Sequence, residues 1–200
     1  MASFAKGLQK KAINKGVDTG VDIAKSGGKA VLNVAKDESQ CLCLKMTNKT
    51  HEKWIRPKLY LNCGATEDLL PLVVDHGDDI EYTVRKRKWT FSGIAGVVTY
   101  EWQASGKPYY IAVMFRKPMV SHNNWNAVIY ENPIEADQQL FGELKQGNRG
   151  THTEHPAVRA DANYITREFG AYVMQGAMTL TSSGAAKLHI IISCVSDLDE

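Results

Sequence analysis

The stretch FGAYVMQGAMTLTSSGAAKLHIIIS, residues 169–193, is the part of the sequence that most clearly decides the fold class. Two runs rich in apolar and β-branched residues, 169–181 and 186–195, lie on either side of the turn signal at 182–184. Such runs, separated by a short segment of serine and glycine, are typical of β-structure. We therefore predict two strands here, joined by a turn.

Shorter runs of the same kind occupy most of the chain before this stretch, with turn signals such as those at 62–64, 76–78, 105–107 and 121–124 between them. Many short strands at close spacing favour a sandwich or a barrel, so the predicted fold class is mainly β. The further predicted strands are 42–47, 56–61, 69–74, 79–85, 96–103, 109–117 and 125–131.

One internal segment, residues 133–147, departs from the β pattern. It begins with Pro133 followed by acidic residues and closes with Gly147, which are start and stop signals of a helix. Ala136, Leu140 and Leu144 would line one face of that helix. We predict a short helix packed on the sandwich, followed by a long loop over residues 148–159.

Residues 1–36 differ from everything that follows. They carry seven lysines and two aspartates, a net charge of +5, whereas the whole chain carries only +2. Steps of three and four place the apolar residues on one helical face, and five glycines weaken the helix by about 1 kcal/mol each. We therefore divide the chain into an amphipathic segment, 1–36, and a β-sandwich body, 37–200. The apolar positions are Phe4, Leu8, Ala12, Ile13, Val17, Val21, Ala24, Val31 and Val34.

The length of the amphipathic segment predicts how it meets a membrane. A helix from Phe4 to Val34 would be about 46 Å long, whereas a hydrocarbon core is about 30 Å thick. Each lysine at the bilayer centre would cost at least about 2.5 kcal/mol, unless several copies surround water. The pattern predicts either an interfacial helix or an oligomeric pore. Its insertion residues would be Phe4, Leu8, Ile13, Val17, Val21 and Ala24.

The composition is that of a globular protein, with 44% hydrophobic and 23% charged residues. No run approaches the roughly 18 continuous apolar residues of a membrane-spanning helix, and the first residues lack the apolar core of a secretory leader. We expect a secreted or released protein that acts on the membranes of target cells, with storage in the cytoplasm as the alternative.

No residue pattern indicates an enzyme or a cofactor. Nucleophile and phosphate-binding motifs are absent, and none of the four cysteines forms the CxxC pair of a zinc site. His152 and His155 lie in a predicted loop without further ligands, so we expect no metal. Cys41 and Cys43 alternate as residues on one face of a strand do, and their thiols are either free or in disulfides.

The densest basic run, residues 85–89, ends in Trp89. It fits three interpretations: a charged strand end, a contact with anionic lipid with Trp89 at the interface, or a nucleic-acid patch. No known nucleic-acid motif accompanies it, so we expect no nucleic-acid partner.

Four stretches resemble the actinoporins, the pore-forming cytolysins of sea anemones. They are YIAVMFRKP at 110–118, NWNAVIY at 124–130, ADQ at 136–138 and the stretch 169–193. The resemblance implies a compact antiparallel β-sandwich flanked by two α-helices, the first of which detaches at the membrane. It also implies a homo-oligomer on the membrane and a cation-permeable pore lined by that helix.

The resemblance places a lipid head-group pocket at Asn62, Cys63, Arg116, Pro118, Phe141 and Lys145, and a membrane interface at Trp89, His122 and Trp125. The family's pocket cages a choline head with aromatic rings, which this sequence largely lacks. We therefore expect a sphingolipid-type head group as the partner, with sphingomyelin not the preferred one. Arg116, Lys145 and His122 would hold a phosphoryl, phosphonate or sialic-acid group through charge-assisted bonds. The alternative is that the charged side chains at this position are only solvated and lipid binding is weak or lost.

Two other functions fit the same residues. A lectin-like or lipid-binding β-sandwich without lytic activity would bind a glycan or lipid and release no vesicle contents. An adaptor for membrane surfaces or nucleic acids, acting through the basic segment, would bind with strong salt dependence and form no pores.

Overall fold

The computed structural model describes residues 40–88, 91–147, 157–160, 164–180 and 184–198. These residues form eleven strands, one α-helix and a closing 3₁₀ helix. The strands are β1 (Cys41–Lys49), β2 (Trp54–Cys63), β3 (Val73–Val74), β4 (Asp79–Arg85), β5 (Ile94–Ala104), β6 (Lys107–Lys117), β7 (Asn124–Tyr130), β8 (Val158–Arg159), β9 (Ile165–Phe169), β10 (Tyr172–Met178) and β11 (Ala185–Cys194). The helices are α1 (Gln138–Gln146) and the 3₁₀ helix Val195–Leu198.

Two sheets pack face to face, which confirms the predicted β-sandwich. The five-stranded sheet has the order β4-β1-β11-β10-β9, and the six-stranded sheet has the order β3-β2-β5-β6-β7-β8. Alternate residues of each strand point between the sheets, as Leu42, Leu44 and Met46 of β1 do. Aromatic rings fill much of this core; for example, the Trp102 and Tyr172 rings meet edge to face at 5.2 Å.

One strand pair departs from the antiparallel sandwich that we expected. β1 pairs with β4 in antiparallel orientation but with β11 in parallel orientation, so the first sheet is mixed. A parallel pair needs a long connection between its strands. β1 and β11 satisfy that requirement because nearly the whole body of the protein separates them in sequence.

The predicted strand bounds agree with the structure at some positions and fail at others. Strand 79–85 is confirmed residue for residue. The run 169–181 is not one strand, because Gly170, with φ at +59°, and the residue after it form a tight turn between β9 and β10. The predicted strand 69–74 shrinks to β3, and β8 and most of β9 were not predicted.

The predicted internal helix exists, but it begins later than Pro133. The carboxylate of Asp137 accepts a hydrogen bond from the Leu140 amide at 2.8 Å and so caps the first turn. Gly147 ends the helix in the left-handed conformation, with φ at +76°. Leu140, Phe141 and Leu144 pack on the outer face of the six-stranded sheet, which confirms that this helix lies on the sandwich.

Several predictions fall outside the described residues. The amphipathic segment 1–36, Trp89, His152 and His155 are among them, so the division at residue 36 and the second flanking helix stay predictions. All four cysteines are free thiols, two of them buried and two half-buried. None of the helices in the described part of the chain combines the length and the apolar character that a membrane crossing requires.

Candidate membrane-binding site

A row of polar residues crosses the six-stranded sheet at one end of the sandwich. Strand register places Cys63, Arg116, Asn124 and Arg159 in line, with Ala95 of β5 between the first two. Residues directly opposite each other in a sheet project from the same face. We call these four residues the basic row, since two of them are arginines two strands apart, about 10 Å between backbones.

Helix α1 lies beside the basic row. The side-chain amide of Asn126 donates a hydrogen bond to the carbonyl oxygen of Leu144 at 2.9 Å. Asn126 follows Asn124 by two residues on the same face of β7, so the last turn of α1 is next to the row. The neighbouring residue Lys145 is exposed, and its charge adds to that of the two arginines.

Phe141 contributes to packing rather than to an open pocket. Its side chain is buried, and its ring lies 6.3 Å from that of Tyr60, on the sheet beneath α1. The structure therefore gives it no exposed aromatic face with which to contact a head group.

Asn62 and Arg116 both lie near the thiol of Cys63 at the end of β2. Burial raises the pKa of the Cys63 thiol, although a hydrogen bond with Asn62 and the charges of Arg116 and Arg87 act in the opposite direction. Arg87 lies close by because its guanidinium donates to the carbonyl oxygen of Gly64 at 2.9 Å. The end of β2 thus faces two cationic side chains.

The other end of the row holds an arginine–histidine pair. A guanidinium nitrogen of Arg159 donates to Nε2 of His122 at 2.5 Å. Because a guanidinium can only donate, Nε2 of His122 is the acceptor in this contact. Asn124, between the two arginines, has a buried Oδ1 without a hydrogen-bond partner in the described part of the chain.

Three exposed apolar side chains surround this end of the sandwich. Phe91, Val120 and Leu180 expose 98%, 96% and 58% of their surfaces and lie on three different connections. We call these three residues the apolar tips. Single exposed apolar residues are ordinary, but three on converging loops make an apolar surface that fits a membrane.

Direct contacts hold these loops together. Asn123, in the β6–β7 connection, donates from its side-chain amide to the carbonyl oxygen of Thr179 at 3.1 Å. The β4–β5 connection presses on the end of β6 at Gly93, where a Cβ atom would lie 2.7 Å from the Cα of Pro118. Pro118 thus supports the loop that carries Phe91.

Trp125 is not at the surface, so its predicted place in the membrane interface is wrong. It is 1% exposed and lies between the sheets, where the guanidinium of Arg167 is 5.9 Å from its ring centroid. Alternation along β7 explains the error, because Asn124 and Asn126 point outward and Trp125 therefore points inward. His122, by contrast, is exposed at this end of the molecule.

Sequence reasoning missed Arg159 and the apolar tips. Arg159 joins the basic row through a two-residue strand that carries no recognisable pattern. Phe91, Val120 and Leu180 are distant in sequence, and only the topology brings their loops to one end. Isolated apolar residues next to predicted turns were the one available signal, and it is a weak one.

Comparison with known proteins gives the family. The sea anemone cytotoxic protein family matches residues 11–194. DELTA-alicitoxin-Pse1b of Phyllodiscus semoni is 29% identical over 155 residues, which cover 76% of this chain. That match spans only 64% of the relative's own length, just under two thirds. Cytolysin tenebrosin-B of Actinia tenebrosa is 26% identical over 167 residues, covering 82% of this chain and 73% of the relative.

A solved structure supports the fold independently. The lipid binding protein Nakanori superposes with a TM-score of 0.62 at 10% identity, covering 93% of this chain and 85% of its own. At that identity the likeness concerns the fold alone. Since the family match spans nearly the whole sequence, the chain belongs to the sea anemone cytotoxic protein family.

Proposed function

We propose that this protein is a pore-forming cytolysin that acts on the membranes of target cells. It would bind the membrane through the apolar tips and the basic row, assemble into a homo-oligomer and insert residues 1–36. The observation that carries the proposal is the convergence of the three apolar tips around a cationic row at one end of the sandwich. Family membership supports it, since relatives of this chain are named as cytolysins.

The energetics of this end favour a membrane surface. Complete removal of an apolar side chain of this size from water contributes about 1.5–3 kcal/mol. Each arginine or lysine near an anionic leaflet adds about 1 kcal/mol. Three tips and three cations therefore supply enough free energy for stable docking even when each is only partly buried.

The docking surface predicts a large effect from the triple variant Phe91→Ser, Val120→Ser and Leu180→Ser. Each substitution removes an apolar contact with the membrane, and a loss of about 1.4 kcal/mol in binding free energy lowers affinity tenfold. We therefore expect the affinity for vesicles to fall by more than about tenfold. Vesicle flotation at several lipid concentrations measures this affinity. Leu72→Ser is the matched control, because Leu72 is also exposed but lies away from this end. Equal binding by the triple variant and the wild type would refute the docking surface.

A second arm of the same experiment separates binding from permeabilisation. Val17→Glu combined with Val21→Glu places charges on the apolar face of the segment 1–36, each costing at least about 2.5 kcal/mol at the bilayer centre. We expect dye release from vesicles to be lost while flotation is retained. Gln9→Glu adds the same charge at a polar position and should release dye normally. If the wild-type protein floats with vesicles but releases no dye, the result would indicate the alternative, a non-lytic lipid- or glycan-binding module.

The five-stranded sheet offers a resting place for the segment before insertion. Val173 and Ile191 lie on its outer face and are buried, yet they belong to neither hydrophobic cluster. Helix α1 of the described part of the chain packs on the other sheet. We propose that residues 1–36 cover it in the unbound protein and leave it at the membrane.

The basic row indicates the lipid class. Arginine binds phosphoryl and carboxylate groups through paired N–H donors, and Asn124 between Arg116 and Arg159 supplies a further polar group. A choline cage would need exposed aromatic faces, and Phe141 has none. The proposed ligand is therefore the anionic part of a head group, a phosphoryl, phosphonate or sialic-acid group, rather than its quaternary ammonium.

Arg116→Gln combined with Lys145→Gln should weaken binding to vesicles that carry such anionic head groups by about tenfold or more, and should flatten its salt dependence. The loss follows because two charge-assisted contacts disappear together. Vesicles of neutral lipid should show little change. Lys107→Gln, at the start of β6 and at the opposite end, removes an exposed charge as a control. An unchanged lipid profile in the double variant would exclude this pocket.

A further inference from the structure

A cluster of potential metal ligands lies at the end of the sandwich opposite to the basic row. His51 is in the β1–β2 turn, Cys194 ends β11 and Asp197 belongs to the 3₁₀ helix. Nε2 of His51 is 3.2 Å from Oδ1 of Asp197, and the ligand atoms of all three residues lie within 4.8 Å of one another. Neither the membrane-binding end nor the proposed insertion uses these residues.

The turn that carries His51 is held rigidly. Asn48 is fully buried and donates from its side-chain amide to the carbonyl oxygens of Glu52 and Val74, at 2.8 and 3.0 Å. The same side chain accepts from the Thr50 amide at 2.9 Å. Preorganised supporting contacts of this kind are what a precise ligand site requires.

Negative charge surrounds the cluster. Burial raises the pKa of the Cys194 thiol, and the nearby carboxylates of Asp197 and Glu52 raise it further. Glu52 has a buried Oε2 without a hydrogen-bond partner among the residues that the structure describes. A buried carboxylate oxygen without a partner is costly, and a bound cation would compensate it.

A second histidine stands next to the first. The rings of His51 and His76 stack with centroids 5.7 Å apart. Nδ1 of His76 is 2.7 Å from the carbonyl oxygen of Thr50, so this nitrogen is the donor in that contact. Fixing the ring through one nitrogen leaves the other ready to bind a metal ion.

The distances fit a zinc ion after a small adjustment. Zinc binds histidine nitrogen and carboxylate oxygen at about 2.0–2.2 Å and thiolate sulfur at about 2.3 Å, so tetrahedral ligand atoms are about 3.3–3.7 Å apart. The pair formed by His51 and Asp197, at 3.2 Å, is just below this spacing. The His51 side chain is 62% exposed and can rotate toward Cys194.

We propose that His51, Cys194 and Asp197 bind a zinc ion. Binding replaces the thiol proton of Cys194, which is released to solvent, by a zinc–sulfur bond. The ion ties the closing 3₁₀ helix to the β1–β2 turn and so stabilises this end of the sandwich. The proposal departs from the expectation of no metal, which rested on local spacing.

Cobalt(II) titration of the intact protein tests the site, because thiolate coordination produces a charge-transfer absorption that histidine and carboxylate ligands alone do not. We expect this absorption to saturate at one equivalent and to disappear when zinc is added. His51→Ala should weaken binding at least about tenfold, and Cys194→Ser should abolish the absorption. Cys63→Ser, at the other end of the sandwich, should leave the metal affinity and the charge-transfer absorption unchanged. Absence of the absorption in the wild type would overturn the proposal.

A thermal-unfolding measurement covers the case in which Cys194→Ser does not fold. Zinc should raise the unfolding temperature of the wild type, since a ligand that binds only the folded state stabilises it. The exposed His51→Ala and Asp197→Asn variants should fold but lose most of that shift. An equal shift in both variants would exclude these residues as ligands. Vesicle dye release is a separate readout, so failure of the site leaves the cytolysin proposal standing.

Discussion

Replacing Gly176 with alanine should lower the free energy of unfolding by about 3 kcal/mol, near the upper end of overpacking effects. A Cβ atom at this position of β10 would lie 2.7 Å from Cδ1 of Ile190 and 2.8 Å from Cζ3 of Trp125, and closer still to Cη2 of the same indole. Neither neighbour can give way, because both side chains are buried between the sheets. Protein cores are packed too densely to absorb such an overlap without shifting a strand.

Gly142→Ala is the matched control, because a Cβ atom there would have no atom within 4 Å. It lies inside helix α1, where alanine is favoured over glycine by about 1 kcal/mol, so this variant should be more stable than the wild type. Urea unfolding of both variants gives the two free energies. Equal stability of Gly176→Ala and the wild type would mean that Trp125 does not occupy the space above Gly176.

The strand whose bounds were predicted residue for residue is one in which alternation is complete. In β4, Ile80, Tyr82 and Val84 point into the core while their neighbours face outward, so the pattern and its bounds coincide. The run at 169–181 defeated prediction for the opposite reason. β10 is buried on both faces, so apolar residues continue through the turn at Gly170 without a break in composition.

The site could be predicted only in part, because it depends on register. Arg116 and Lys145 follow from comparison with the family, and the structure places both at one end of the six-stranded sheet. Arg159 reaches that end through pairing of Asn124 with β8, which local sequence does not encode. Side chains alternate along β7, and this alternation makes Trp125 face the core. A single aromatic residue beside a loop does not indicate which face of the strand it occupies.

Acidification should destabilise the protein through His189, which lies on the outer face of the five-stranded sheet. The pKa of His189 is lowered from 6.5 to about 4, mainly by burial and further by the charges of Lys45, Lys187 and Lys49. The charge of Asp79 opposes this shift. The neutral imidazole is also fixed by polar contacts, since Nε2 lies 2.9 Å from Oγ1 of Thr47. Nδ1 lies 3.2 Å from the hydroxyl of Tyr164.

The sign of the pH dependence follows from comparing the two states. Between pH 6.5 and about 4 the unfolded chain binds a proton at this residue and the folded chain does not, so stability falls as pH falls. The loss reaches up to about 3 kcal/mol and stops below pH 4, where both states are protonated. Desolvation alone would raise the pKa of Asp79, but bonds from Lys45 and Thr47 and the charge of Lys45 lower it below 3.8. The stability that Asp79 contributes is therefore lost only at lower pH.

The difference between wild type and His189→Gln isolates this residue, because glutamine keeps a polar side chain but cannot titrate. We expect the unfolding free energy of the wild type to drop relative to that of the variant across pH 6.5–4, and to run parallel to it above pH 7. Parallel curves for wild type and His189→Gln throughout would show that the imidazole is not buried in neutral form. Because the same sheet face is the proposed seat of residues 1–36, protonation of His189 would also weaken that seat, and vesicle dye release by the wild type should increase below pH 6 relative to His189→Gln.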